Sequence, residues 1–165
     1  TRTRTCSAPH SGRTSLRRAA HCRCVPVNSD VMRLDAPPHF IDLRIAEEGS
    51  HSSDSSDWLV EVKVLIASFS GAGSSWVEAD DFWTFSQAAK AVYESLKGEA
   101  VLRSASPEEF ELRLVPASPR GTVQVHVRLA QILPMSCSMQ GQFEVELPAI
   151  GELVRWAENP YVHAA

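Results

Sequence analysis

The sequence predicts an α+β fold. A mostly antiparallel sheet of about seven strands runs in the order β-β-β-α-β-β-β-β-α, with both helices on one face. Three observations lead there. Period-two alternation of apolar and polar residues recurs from residue 39 onward. The period changes to three- and four-residue steps between Phe82 and Lys97, and again near Ala149–Glu158. Short turn-forming links separate most of the strands, and such links join antiparallel neighbours.

Residues 39–47 place Ile41, Leu43 and Ile45 on one face and Asp42 and Arg44 on the other. The stretch 49–57 is rich in Ser, Gly and Asp, and reads as a polar loop. Trp58, Val60, Val62, Val64 and Ile66 then share one face of the strongest strand, with Glu61 and Lys63 opposite. Ser70–Ser75 reads as a flexible turn and Trp76–Glu78 as a short third strand.

The helix that follows carries its apolar stripe on Phe82, Phe85, Ala89, Val92, Tyr93 and Leu96. Asp80 and Asp81 stand where an N-cap and the positive helix end favour acids. Lys97 and Gly98 are a usual helix close. Four further strands are expected at 99–104, 110–115, 122–129 and 142–147, then a helix over 149–158 with Pro148 near its first turn. Clean alternation implies one buried and one solvated sheet face. Val62, Val125 and Phe143 are expected under the helices, and no internal repeat is evident. Trp58, Trp76, Trp83 and Trp156 read as core anchors by default. Trp83 and Trp156 sit beside their helices' stripes, where an edge or a recognition patch is the alternative.

Residues 1–37 read as a basic leader without stable structure, 38–160 as one α+β domain, and 161–165 as a tail. Residues 1–30 hold six arginines, one acid and few large apolar side chains, too little surface to offset chain entropy. Sequence preceding a natural start at Met32, plain basic disorder and an organellar transit segment all fit that composition. The formal charge of −4 therefore conceals a body with 10 basic and 19 acidic residues over 31–165. Such a body repels phosphate backbones, so direct nucleic-acid binding is not expected, and a basic protein partner is. No apolar stretch reaches the roughly 20 residues of a membrane helix. Three of the four cysteines lie in the leader and only Cys137 in the body, which points to a reducing, cytoplasmic setting.

Catalytic and cofactor signatures fail on spacing. Gly71-Ala72-Gly73 is no dinucleotide loop. His39, His51, His126 and His163 lack metal-ligand spacing, and Cys22-Arg23-Cys24 is not a zinc knuckle. Ser136-Cys137-Ser138 has no activating histidine beside it. No cofactor or metal is expected and no enzyme activity is assigned. The polar strand faces instead supply candidate partner contacts: Glu61, Lys63, Glu111, Arg113, Gln124, His126, Arg128, Glu144 and Glu146. The reading is a protein-binding module. Its alternative is a small ligand-binding or enzymatic domain whose pocket assembles only in space.

The order of pieces carries one resemblance. Asp57-Trp58-Leu59-Val60-Glu61-Val62 leads to Ser75-Trp76-Val77-Glu78, then to Phe82-Trp83-Thr84-Phe85 on a helix. The strands at Phe110–Leu114, Val123–Leu129 and Phe143–Leu147 follow, with a closing helix. Over residues 38–158 this resembles the WapI-type family of small bacterial immunity proteins. Ile132–Met135 stands where that family commonly has a Pro- and Trp-containing stretch, and here the Trp is missing. The resemblance implies a protein that binds and neutralises a cognate toxin, often a nuclease.

Overall fold

A computed structural model describes residues 31–158, apart from 53–54, 107 and 132–135; for 47–52 and 55–56 it describes the backbone alone. Eight strands form two four-stranded antiparallel sheets, with two helices. The first sheet is a meander of β1 (Val31–Ala36), β2 (His39–Ser52), β3 (Ser55–Ile66) and β4 (Phe69–Glu78). Helix α1 (Ala79–Ser95) follows directly. The second sheet is a meander of β5 (Ala100–Arg103), β6 (Phe110–Ser118), β7 (Thr122–Gln131) and β8 (Cys137–Glu146), and α2 (Leu147–Ala157) closes the chain of elements. The α+β, antiparallel expectation therefore holds, with eight strands where about seven were expected. Four strands and a helix occur twice in succession, a repetition of topology that the sequence does not display.

The inner faces of both sheets feed one hydrophobic cluster. Leu34, Ile41, Leu43, Val60 and Val62 enter it from the first sheet, and Leu102, Leu112, Leu114, Val125 and Phe143 from the second. The three expected core residues Val62, Val125 and Phe143 are all buried. The helices join the same core. Helix α1 packs on β5 and on α2, while α2 packs on β1 and β8. Each helix thus reaches across to the first strand of the other half.

Four local expectations need correction. Strand β1 precedes the expected start of structure at residue 38; Met32 and Leu34 point inward, and the chain turns at Pro37–Pro38. The expected loop over 49–57 is mostly paired strand, because β2 and β3 stay paired, through two register shifts, out to Ser52↔Ser55. The stretch 70–75 is not a flexible turn. It is the body of β4, and the hairpin turns one step earlier, at Ala67 and Ser68 between Ile66 and Phe69. Helix α1 starts at Ala79 with Glu78 as its N-cap and no side-chain cap bond. It ends in a left-handed Leu96, whose N–H donates to the Val92 carbonyl at 2.9 Å. Asp80 and Asp81 complement the helix dipole from the first turn rather than capping it.

Two glycines stand where one sheet packs tightly on the other. A Cβ on Gly73 would lie 3.3 Å from Leu129 Cδ1, and one on Gly141 would lie 2.8 Å from Ile66 Cδ1. A larger residue on either strand would push the sheets apart. Gly141→Ala is expected to lower stability by roughly 1–3 kcal/mol, as overpacking does. Combining it with Ile66→Val, which removes the nearest atom, should cost less than the sum of the single changes. Strict additivity in denaturant titrations would show that the sheets are not in contact there.

Candidate functional site

Because both inner faces are committed to the core, the strands offer their outer faces to partners. On the second sheet the register lines up Arg103, Glu111, Arg128 and Gln140 in one row across the strands. The next row holds Val101, Arg113, His126 and Gln142. Gln124 then stands beside Glu144, and Thr122 beside Glu146. Period-two alternation on three consecutive strands is what brings these side chains to one face.

The β6, β7 and β8 members of these two rows line an open depression of about 630 Å³, among them Glu111, Arg113, His126, Arg128 and Gln142. Its charges are knitted together. Arg103 Nε donates to Glu111 Oε2 at 3.0 Å, and Arg113 Nη2 to Glu111 Oε1 at 3.2 Å. Arg113 Nη1 continues the chain to Glu99 at 3.3 Å. Burial by itself would raise the Glu111 carboxyl. The Arg103 hydrogen bond and the charges of Arg113 and Arg103 together outweigh it and hold the group below the usual carboxylate range.

That direction fixes a pH dependence. A carboxyl lowered in the folded state contributes stability above its unfolded pKa of about 4.3, and loses it as pH falls through the folded value. Glu111→Gln is therefore expected to lower the denaturation midpoint at neutral pH and to make little difference well below pH 4. An equal loss at both pH values would mean that the ion pairs are not its source.

The far end of the same face is different in sign. There Glu144 and Glu146 border a second depression of about 530 Å³, shared with Asp35 of β1 and Glu152 of α2, with no basic side chain among its lining residues. The outer face of the second sheet is thus polarised, mixed and arginine-rich at one end and acidic at the other.

The structure divides the nine candidate contacts. Glu111, Arg113, Gln124, His126, Arg128, Glu144 and Glu146 share this face. Glu61 and Lys63 lie on the outer face of the first sheet, near Arg44, Asp42, Ser74 and Ala72. The two outer faces look away from each other, since the inner faces share one core. One partner surface cannot be made from all nine without wrapping the molecule.

Trp156 is buried against Phe82, with ring centroids 5.5 Å apart. Trp83 departs from the core default: it is 63% exposed on the outer side of α1, a turn after Asp80. Its position beside the apolar stripe was the one sequence signal of this. Phe69, at the tip of the β3–β4 hairpin, is 71% exposed, and nothing in the sequence marks it, because the turn-forming residues lie at 70–75 rather than at the tip. Among the described residues no group of three or more His, Cys, Asp or Glu side chains could hold a metal ion. His39 accepts a hydrogen bond from the Ala67 N–H at 3.0 Å, and its ring stacks on Phe143. Cys137 is free and exposed. No helix of the described residues is long and apolar enough to cross a membrane. His51, His163, the leader cysteines and Ile132–Met135 lie outside the described residues or side chains.

These features define a two-sheet α+β protein that presents an open, charged sheet face. The chain belongs to the Immunity protein WapI-like family, whose sequence profile matches residues 33–155. That span takes in every described strand and helix at least in part. No curated protein and no solved structure matches the chain.

Proposed function

We propose that this chain is a non-enzymatic immunity protein of the cytoplasm that binds and neutralises a cognate toxin. The outer face of the second sheet makes the contact. Family membership carries this reading, and the polarised face fits it. An acidic protein that covers a cationic site competes by charge complementarity with whatever anionic substrate the toxin uses. A nuclease is one such toxin, because its substrate is a polyanion. The body's excess of acids, 19 against 10 basic residues over 31–165, speeds encounter with a basic partner. Exposed Trp83 favours a second contact surface on α1, since exposed tryptophans are frequent binding anchors.

The experiment is to express this chain together with the toxin-like product of an adjacent gene. Growth should be rescued, and the two proteins should co-purify. Absence of protection, combined with specific binding of a small metabolite by the pure protein, would replace this reading with that of a ligand-binding domain.

A further inference from the structure

The first sheet ends on β4, whose far edge has no neighbouring strand among the described residues. The tight turn pairs Ile66 with Phe69. In such a hairpin the odd-numbered residues of β4 exchange main-chain hydrogen bonds with β3, and the even-numbered ones turn theirs outward. Trp76 shows this directly: its outward carbonyl accepts from the Ala105 N–H at 2.7 Å. Among the described residues, the outward main-chain groups of Ser70, Ala72 and Ser74 have no such partner. Sheet edges are usually blunted by proline, lysine, a bulge or brevity. Here β4 is 10 residues long and pairs with β3 without a register shift, and residues 70–74 contain neither proline nor charge.

Beside this edge lies a groove of about 540 Å³ between β4 and the ends of β7 and β8. Leu129 and Met139 give it an apolar wall, and Glu109 lines it too, its carboxylate accepting from Ser75 Oγ at 3.4 Å. We propose that the β4 edge takes up an extended segment of a basic protein partner as a fifth strand of the first sheet. One inward side chain of that segment is apolar and rests on Leu129 and Met139. The next inward one, two residues along, is cationic and pairs with Glu109. The acidic balance of the body favours such a segment over a second copy of this chain. Twofold pairing about Ala72 would also set Ser68 of one copy against Trp76 of the other, where Ala105 already bonds.

This surface rests on the protein-binding reading above, but it lies on the other sheet and fails or stands separately. The probes are acetyl-Thr-Val-Thr-Arg-Thr-amide and the same peptide in reversed order, since parallel and antiparallel addition place the cation at opposite ends. Titrated into the full chain, one of them should shift and protect the amides of Ser70, Ala72 and Ser74. N-methylation of its bonding amides should weaken binding about tenfold or more, because hydrogen bonds are lost without any change to the protein. Glu109→Gln should weaken it as well, and Ala72→Pro should abolish it, proline being tolerated on an edge strand. Reversing charges on the second sheet should leave peptide binding unchanged. Binding that survives N-methylation, shifts confined to other residues, no binding at millimolar peptide, or a dimer of the chain blocking the edge would each overturn the proposal.

Discussion

Val125→Asp is expected to cost roughly 3–5 kcal/mol, the scale for a charge left unpaired in a core. Val125 is fully buried, and its β-ladder neighbours Leu114 and Phe143 are buried too. The neighbouring arginines Arg113 and Arg128 both lie on the outer face, away from Val125. The whole stability of a domain of this size is about 5–15 kcal/mol, so the variant should be partly unfolded or aggregation-prone at 37 °C. Gln124→Asp, one residue away on the outer face, should stay within about 0.5 kcal/mol of the parent. Urea titration of both variants checks this. Comparable losses at the two positions would mean that the outer face is packed.

The double reversal Glu144→Lys with Glu146→Lys is expected to leave the fold intact and to slow association with a basic toxin about tenfold or more at low salt. Both side chains are exposed, and they share their depression with Asp35 and Glu152. Reversal therefore relieves some like-charge crowding. Glu146 is the N-cap of α2 but makes no side-chain cap bond, so no hydrogen bond is lost there. A lysine near the positive helix end costs only a few tenths of a kcal/mol. The rate difference should shrink at high ionic strength as screening removes the long-range attraction. Association kinetics at two salt concentrations provide the measurement. An unchanged rate would shift the contact to the α1 surface around Trp83.

Much of the second sheet was legible in the sequence. Phe110–Leu114, Val123–Leu129 and Phe143–Val145 alternate cleanly, and that same alternation put Glu111, Arg113, His126 and Arg128 on the outer face. The first sheet was less legible at both edges. Strand β1 alternates Met32 and Leu34 with Arg33 and Asp35, but it is short and sits between a composition-biased leader and a proline pair. Strand β4 was hidden by its composition. Gly71 and Gly73 look like a turn locally, and what crowds them is Met139 at Gly71 and Leu129 at Gly73, both on the other sheet and more than fifty residues away in sequence. The division into two sheets was also out of reach, because alternation says which side of a strand is buried and not what covers it. The candidate contacts inherited that gap: Glu61 and Lys63 have the same pattern as the others and belong to the opposite side of the molecule.

The reach of each helix onto the other half bears on how this protein comes off the ribosome. The first four strands and α1 emerge early, but β1 lacks the surface that α2 supplies, and α2 is made after every other described element. The apolar side of the first sheet therefore stays incompletely covered until α2 has left the exit tunnel. A nascent chain stopped before Leu147 would carry an exposed apolar surface for chaperones or proteases to engage.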